Sequence, residues 1–386
     1  MSSLGMREYE RRISALRTKI AESEADAFVS FINHHINYLV GFPHVQTERP
    51  VVLLVTGSQT TLVVPRLERR RAEQVSLVDA VDTYFDYPTT EPVTDLGQSL
   101  SSRGIESVVA DANGAPSVMG YDGPALSTFV DVDVRPWVRE MRREKSPEEL
   151  SVIRESAAIA DRTHEILESN LSPGANPLLA SEATMTEATE QLLAAAGAEY
   201  ESRTRFRSPI LAGIVSGEQT ALPHAYTARE PLSSGDVVIS GVVVDVGGYL
   251  SELERTMIVG EADADRLTYL DIVAEAQSLA IDAVEAGVSA GYVEEVTRDY
   301  FDEQGVLDLV EHHAGHAIGL EPHESPYLDR GSDAVLSPGE VYAVEPALYT
   351  DEGGYRHSDT VVVTEGGCEV LTTTSKDRDA LVLSGD

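Results

Sequence analysis

Residues 235–256 read GDVVISGVVVDVGGYLSELERT, a run of apolar and glycine residues that ends in charged ones. The run predicts a β-hairpin, whose far end carries Glu252, Glu254 and Arg255 in the hexapeptide SELERT. Alternate residues of a strand share one face, so the two glutamates point the same way. A solvated strand edge and a catalytic site would both account for them, and the remainder of the chain has to decide between the two.

Helical and strand patterns alternate around this hairpin from residue 146 onward. Ser146, Pro147 and Glu149 form a capping-box signature that begins a helix. Further helices are predicted around residues 182–196 and 264–286. The predicted strands are PILAGIV (209–215), DVVISGVVV (236–244), TMIVG (256–260), VYAVEPALY (341–349) and TVVVTE (360–365). The pattern predicts an α+β domain over residues 146–386 whose strands carry the polar clusters.

A smaller α/β domain is predicted over residues 1–140. Helical spacing over residues 7–22 places Ile13, Leu16 and Ile20 on one side. Short apolar strands follow at 27–32, 51–56, 61–65, 107–112 and 130–137, separated by polar or glycine-bearing turns.

The composition narrows the class of protein. The 386 residues include 29 basic and 65 acidic side chains, which gives a net charge of −36. The acidic residues are spread along the chain and only Lys19, Lys145 and Lys376 are lysines, a pattern typical of halophilic adaptation to a salty cytoplasm. Such a charge argues against nucleic-acid binding. The single cysteine (Cys368), the start without a signal-peptide core and the lack of a membrane-length apolar stretch predict a cytoplasmic protein that binds no membrane.

Four separate stretches hold the unusual polar residues. They are ALPHAYT (221–227) with His224, SELERT (251–256), HHAGHAIGLEPHESP (312–326) with His316 and His323, and VEPALY (344–349) followed by GGYRHSDTVVV (353–363). Their order, the glycines around His316 and the phrases GHAIGLEPHE and SPGEVYAVEPALY resemble the pita-bread metallopeptidase family, which includes methionine aminopeptidase, prolidase, aminopeptidase P and creatinase. The resemblance implies a pita-bread α+β catalytic domain behind the smaller α/β domain, which itself resembles the prolidase and creatinase branch more weakly.

The resemblance also implies a metal site, but the ligand positions match only in part. The family's peptidases hold two divalent metals with two aspartates, one histidine and two glutamates. His316 and Glu345 match a histidine and a glutamate, and an ungapped match places Glu252 at the second aspartate. The same match places Gly241 and Ser358 at the two remaining ligands. Glycine and serine offer no carboxylate, so a two-metal site is not expected.

Two alternatives to a pocket that binds no metal stay open. Glu252, His316 and Glu345 could together hold one divalent cation such as Mn, Co, Fe or Zn, with water in an open position. Asp245, in VVVDVGG, could replace the missing carboxylate if the hairpin were four residues shorter. The ungapped match is preferred because it keeps the alternation of faces in register.

Glu254 favours a site without metal. Metal-dependent relatives usually have threonine there, whereas LERT (253–256) matches creatinase, which uses that glutamate without metals. The prediction is a metal-independent hydrolase of a C–N bond, with no cofactor and with His224 as general base. Glu254 and Glu345 would then orient substrate N–H groups, and His316 and His323 would donate hydrogen bonds to a developing oxyanion or a substrate carboxylate. Arg356 is predicted to bind a carboxylate bidentately.

The substrate and the partner are inferred from the same resemblance. Arg49, in GFPHVQTER, resembles the arginine that creatinase presents to its partner subunit, which implies a homodimer. The position of a second creatinase arginine holds Tyr327, with Arg330 nearby, so a small zwitterion with an amide or amidine bond is expected rather than creatine itself. A metal-dependent Xaa-Pro dipeptidase or aminopeptidase and a non-catalytic binding protein of the same fold are the alternatives.

Structural interpretations stand beside these roles. A single histidine is usually structural or exposed, and this interpretation is assigned to His34, His35, His44, His164 and His357. Arg356 and Asp359 could form an ion pair of little consequence. Glu345 lies between apolar neighbours, where a carboxylate is costly without a partner, which favours a function.

Overall fold

The computed structural model describes residues 4–196 and 208–383. They form two compact units, the first running from Leu4 to Arg142 and the second from Arg143 onward. Within the described residues, no helix is long and apolar enough to cross a bilayer.

The first unit is built on a six-stranded sheet in the order β4-β3-β2-β1-β5-β6. Its strands are β1 (Ala27–Ser30), β2 (Val52–Thr56), β3 (Thr60–Pro65), β4 (Ala80–Tyr84), β5 (Ser107–Ala110) and β6 (Asp131–Val134). Its helices are α1 (Met6–Ala21), α2 (Asn33–Val40), α3 (Arg69–Ala72), α4 (Pro92–Ser102) and α5 (Trp137–Met141). All five predicted strands are present, while β4 was not predicted because it is a half-exposed edge strand with little apolar pattern.

The second unit contains a nine-stranded sheet in which β11-β10-β12-β15-β9-β8-β7 are neighbours, β16 pairs with β15 and β17 with β9. Its strands are β7 (Ile210–Ser216), β8 (Val237–Val246), β9 (Tyr249–Val259), β10 (Gly315–Ala317), β11 (Glu324–Leu328), β12 (Val341–Val344), β13 (Ala347–Tyr349), β14 (Gly354–Arg356), β15 (Ser358–Thr364), β16 (Gly367–Val370) and β17 (Val382–Leu383). Its helices are α6 (Pro147–Ser169), α7 (Pro177–Ala196), α8 (Ala264–Asp282), α9 (Ala290–Glu303) and α10 (Arg378–Leu381).

Local sequence signals explain where several of these elements begin and end. The predicted capping box is present at α6, where the Ser146 hydroxyl accepts from the backbone N–H of Glu149 and the Glu149 carboxylate accepts from that of Ser146. The predicted strand 341–349 is wrong as one element, because the chain leaves the large sheet at Glu345 and Pro346 and continues as β13 beside β14. Proline cannot donate to a ladder, which is consistent with a break at this point. Helix α9 was not predicted.

The pairing of β8 with β9 determines which residues of SELERT (251–256) share a face of the sheet. Gly247 and Gly248 form its turn with φ angles of 59° and 93°, a conformation that favours glycine. Gly241 lies opposite Glu254, and Val243 lies opposite Glu252. We call the side of the sheet that carries Gly241, Glu252 and Glu254 the front face, and the side against α6 the back face. Ser240 lies on the back face, where its hydroxyl meets Nε2 of His164 of α6 at 2.8 Å.

Candidate active site

The two glutamates of the hairpin lie on the front face and are largely shielded from solvent. Glu252 is 8% exposed, and its Oε1 accepts a hydrogen bond of 2.8 Å from the hydroxyl of Ser358 on β15. The Glu254 side chain is 12% exposed. A solvated strand edge is therefore the wrong explanation for this pair. Burial, followed by the charges of Glu345 and Glu254, raises the pKa of Glu252 to about 7.

Arg255 belongs to the back face and is buried. Its guanidinium donates to Asp359 at 2.7 Å and also to the backbone carbonyls of Ser358 and Thr374. Asp359 in turn accepts from the hydroxyl of Thr372 at 2.8 Å and pairs with Lys376. The suggested Arg356–Asp359 ion pair is consequently wrong, because Asp359 lies on the opposite face and pairs with Arg255.

Arg356 binds Glu254 instead. Its Nη2 donates to Oε1 of Glu254 at 2.8 Å, and its Nε donates to Oε2 of the same carboxylate. Its Nη1 lies 3.2 Å from the hydroxyl of Tyr349 and 3.5 Å from the carbonyl of Pro223. Arg356 was predicted to bind a carboxylate, and in the structure it binds that of Glu254. A role of Arg356 in binding the substrate stays a prediction.

His316 and Glu345 form a second charged contact in the same pocket. Nε2 of His316 lies 3.2 Å from Oε1 of Glu345, and its Nδ1 lies 3.2 Å from the carbonyl of Ala317. Burial alone would lower the pKa of His316, but the hydrogen bond with Glu345 and the charges of Glu252 and Glu345 outweigh it and raise that pKa to about 9. Burial raises the pKa of Glu345, but His316 and then Arg356 lower it to about 2. Each of these two groups therefore favours the charged form of the other.

The donor atoms of Glu252, His316 and Glu345 all lie within 4.8 Å of one another. Two carboxylates and one imidazole suit a single divalent cation with open positions for water. They do not suit two cations. Ser358 offers a hydroxyl that is already donated to Glu252, and a Cβ placed on Gly241 would lie 3.2 Å from Oε1 of Glu254.

Asp245 does not supply the missing carboxylate. It lies on β8 opposite Leu250, next to the hairpin turn, and its Oδ1 accepts from the backbone N–H of Gly248 at 2.8 Å. This hydrogen bond stabilises the turn. Among the described residues, the group that could hold a cation is Glu252, His316 and Glu345, and it does not include Asp245.

Two further predicted histidines border the pocket. The ring of His323 stacks on His316, with centroids 3.9 Å apart and an angle of 18° between the planes. Burial and the neighbouring His316 lower the pKa of His323, and His224 contributes to the same shift. His224 is exposed and directly follows Pro223, whose carbonyl faces Arg356. The geometry thus gives the pocket an accessible imidazole at its opening.

A buried ion pair holds the loop that carries His323. Oε1 of Glu324 accepts from the backbone N–H groups of Leu320 and Glu321, at 2.9 and 3.2 Å. Its Oε2 lies 3.3 Å from Nζ of Lys145. The loop is therefore closed on itself by one carboxylate, and one of the three lysines of the chain fixes that carboxylate.

Three pocket residues were not identified from the sequence: His312, His313 and Tyr349. Nε2 of His312 lies 3.0 Å from the hydroxyl of Tyr349, and the ring of His313 packs against Tyr327 with centroids 5.4 Å apart. Burial lowers the pKa of His312. The signal was present, because both histidines precede Gly315 in the motif that contains His316.

The remaining predicted residues were assigned to a partner subunit, to the substrate or to structural roles. Arg49 belongs to the first unit, where its Nε donates to Asp86 at 2.6 Å and its Nη1 to Glu48. Arg330 is exposed just after β11. His35, His164 and His357 are buried with polar partners, which are Asp111, Ser240 and the backbone N–H of Thr256.

Comparisons with known proteins agree with this architecture. The model of metallopeptidase family M24 matches residues 151–365, and the model of the creatinase/prolidase N-terminal domain matches residues 12–143. An Xaa-Pro dipeptidase of Pyrococcus horikoshii is 29% identical over 339 residues, covering 84% of this chain and 87% of that protein. An uncharacterized peptidase of Bacillus subtilis is 32% identical over 370 residues, covering 95% and 99%. The solved structure of an Xaa-Pro dipeptidase from Bacillus anthracis has a TM-score of 0.81 at 26% identity, covering 97% of this chain and all of that one (100%).

Proposed function

The chain belongs to metallopeptidase family M24, with its pita-bread fold, and is a hydrolase of C–N bonds; from this premise we propose that it acts without the paired metal ions of that family. Its substrate would be a small zwitterion with an amide or amidine bond. Its catalytic groups would be His224, Glu254, Glu345, His316 and His323.

The observation that supports this proposal is the charge arrangement of the pocket. Three buried carboxylates, Glu252, Glu254 and Glu345, are accompanied by two organic cations. The imidazolium of His316 lies against Glu345, and the guanidinium of Arg356 lies against Glu254. Positive charge of this kind lowers the cost of burying carboxylates without an inorganic ion.

Protein groups alone can then move the protons of the reaction. His224 would take a proton from water as the water oxygen forms a bond to the carbon of the scissile group. Both ring nitrogens of His316 face other acceptors in the structure, Glu345 and the carbonyl of Ala317. His316 would therefore have to release Glu345 on substrate binding in order to donate a hydrogen bond to the oxyanion that develops on that carbon. His224 would finally deliver its proton to the nitrogen as the C–N bond breaks, so that the amine leaves neutral.

The carboxylates would hold the nitrogen side of the substrate. Glu345 would accept a hydrogen bond from the substrate N–H and stabilise positive charge near the breaking bond. Both oxygens of Glu254 accept from Arg356 in the structure. The predicted contact of Glu254 with substrate N–H groups would accordingly require this pair to open on binding.

A second candidate is a metal-dependent Xaa-Pro dipeptidase with one cation, and the close grouping of Glu252, His316 and Glu345 favours it. These three residues would hold the ion. The ion would supply Lewis acidity and lower the pKa of a bound water. His224 and His323 would then orient the dipeptide.

The proposal extends to a homodimer in which Arg49 serves the pocket of the partner subunit. Arg49 is partly exposed and its charge is held by Asp86. If the partner supplies this residue, a mixture of Arg49→Ala and His224→Ala chains forms one intact pocket in mixed dimers and regains activity. If mixing restores nothing while each chain still dimerises, Arg49 has no such role.

Elemental analysis after purification without added metal tests the main proposal. The expected result is less than one bound ion per chain, together with hydrolysis of a zwitterion from a panel of creatine, ectoine and Xaa-Pro dipeptides that survives EDTA. Two bound ions per chain would overturn it. One bound ion, with activity lost to EDTA and restored by Mn, Co or Fe, would establish the second candidate instead.

A further inference from the structure

Gly241 is an unusual residue for its place in the fold. It lies inside β8 in extended backbone, where glycine packs nothing and weakens a strand. Its φ angle is not positive, so the backbone conformation does not require glycine. Space is the remaining reason. An added Cβ would lie 3.2 Å from Oε1 and 3.9 Å from Cγ of Glu254.

The carboxylate that takes up this space is fixed. Glu254 is held by two parallel hydrogen bonds from one guanidinium, a geometry that resists displacement. Arg356 is fixed in turn, because its Nη1 has the Tyr349 hydroxyl and the Pro223 carbonyl as partners. Glu254 therefore has little freedom to move aside for a side chain at position 241.

The guanidinium also stands between two carboxylates. Besides its bonds to Glu254, Nε of Arg356 lies 4.0 Å from Oε2 of Glu345. Ser358, which lies opposite Glu254 on β15, offers no negative charge to a further ion.

We propose that Gly241, Glu254 and Arg356 form one unit in which the Glu254 carboxylate, held by the guanidinium of Arg356, fills the space that a carboxylate side chain at position 241 would need, so that this half of the pocket holds no metal ion. The proposal rests on the proposed function only in treating this pocket as the active site. It concerns the half around Arg356, and it holds whether or not Glu252, His316 and Glu345 bind a single ion in the other half.

The unit predicts that its members cannot be exchanged one at a time. Aspartate at position 241 would meet the fixed carboxylate of Glu254 and add negative charge beside it. Removal of Glu254 clears the space but leaves Arg356, whose charge a second carboxylate at 241 can take up. A metal ion gains a place only when a carboxylate also stands at position 358.

Alanine substitutions at two paired glycines test the part played by space. Gly213 lies directly opposite Gly241 on β7, and a Cβ there meets nothing closer than 3.9 Å. We expect Gly213→Ala to leave the melting temperature unchanged or raise it, and Gly241→Ala to lower it by several degrees. Adding Glu254→Thr to Gly241→Ala should restore most of the loss. If Gly241→Ala is tolerated as well as Gly213→Ala, the proposal fails.

Titration with Mn²⁺, followed by calorimetry and elemental analysis, tests the exclusion of metal. The triple variant Gly241→Asp, Glu254→Thr, Ser358→Glu should bind one Mn²⁺ more per chain than the wild type, while Gly241→Asp alone should bind no more. Uptake of an additional ion by Gly241→Asp alone would overturn the proposal. Should the triple variant fail to fold, the alanine pair decides.

The outcomes separate this proposal from the proposed function. One ion in the wild type that disappears in Glu252→Gln would sink the metal-free reaction and leave the Gly241–Glu254–Arg356 unit intact. Two ions in the wild type would sink both. If the wild type binds no ion and Gly241→Ala is tolerated, the Gly241–Glu254–Arg356 proposal is wrong while the metal-free reaction still stands.

Discussion

Glu254 and Arg255 are neighbours in the sequence, yet their ion pairs lie on opposite faces of one sheet. The front pair, Glu254–Arg356, is 12% and 15% exposed, whereas the back pair, Arg255–Asp359, is 1% and 2% exposed. The back pair is completed by backbone carbonyls and by Lys376 and Thr372. The front pair lies beside further carboxylates and an accessible histidine.

This difference shows how strand alternation divides a polar motif into a structural half and a chemical half. The back pair ties β9 and β15 to residues 372–376, and every charge in it has a partner. The front pair keeps Glu252 and Glu345 close to Glu254, an arrangement that is unfavourable unless it serves binding or catalysis. Stability should depend mainly on the back face and activity mainly on the front face.

The largest effect on stability is expected from Arg255→Met. It leaves the buried Asp359 with a reduced set of partners and removes the donor to three backbone carbonyls, those of Glu254, Ser358 and Thr374. The expected cost is about 3–5 kcal/mol of unfolding free energy. Urea unfolding monitored by circular dichroism measures this loss. Arg356→Met is the matched control, and its cost should be clearly smaller because Glu254 is closer to solvent and can take up a proton. Equal losses in the two variants would remove the distinction between the faces.

His224→Ala should have the largest effect on activity. Removal of a general base is expected to lower kcat/KM by about 10²–10⁴-fold. The unfolding free energy should change by less than about 0.5 kcal/mol, because His224 is exposed. Tyr226→Ala is the control, since this side chain is two residues away and 91% exposed. Retained activity in His224→Ala, on a substrate that the wild type hydrolyses, would exclude His224 as the base.

The pH dependence of stability should also come from the front face, through Glu252. The pKa of Glu252 is raised from its ordinary 4.5 to about 7, so the folded state binds this proton more tightly than the unfolded state. Its contribution to stability is complete below pH 4.5 and is lost as the pH rises through 7. Between these values the wild type should lose on the order of 2 kcal/mol relative to Glu252→Gln.

The comparison uses the difference between the two stability curves, measured with chelator present. Burial lowers the pKa of buried neutral histidines such as His357, so these residues add to the stability of both proteins as the pH rises over the same range. Their contribution is the same in the two curves and cancels in the difference. Asp359→Asn on the back face keeps Glu252, and it is expected to lower the stability curve while retaining the loss that Glu252 causes. Parallel curves for the wild type and Glu252→Gln would show that Glu252 keeps an ordinary pKa.

The sequence predicted much of the fold where the signal was local. The capping box at Ser146, the hairpin and the apolar strands depend on residues a few positions apart. The edge strand β4 and the break at Pro346 were missed because their conformation depends on neighbours distant in the chain. Helix α9, with only six buried residues in fourteen, gave a weak pattern.

The site was predictable to the same extent. Alternation placed Glu252 and Glu254 on one face, and the motif order identified His316 and Glu345. The partner of Glu254 was not predictable, because Arg356 reaches it only through the pairing of β9 with β15, which sets Ser358 opposite Glu254. A register between strands about a hundred residues apart leaves no local trace in the sequence. For the same reason Asp359 was assigned to the wrong arginine.

The smallest effect is expected from the exposed pair Arg154–Glu369, and it tests whether burial or pairing makes the back pair important. Its two parallel hydrogen bonds, at 3.0 and 2.6 Å, outnumber the single hydrogen bond from Arg255 to Asp359, but the side chains are 44% and 46% exposed. A double-mutant cycle with Arg154→Met and Glu369→Gln should give a coupling energy of about 0–1 kcal/mol that falls further in 1 M salt. Added salt should at the same time stabilise the wild type, because it screens repulsion within a net charge of −36. A coupling energy above about 2 kcal/mol that persists in salt would mean that geometry alone suffices, and the contrast between the two faces would then need another explanation than burial.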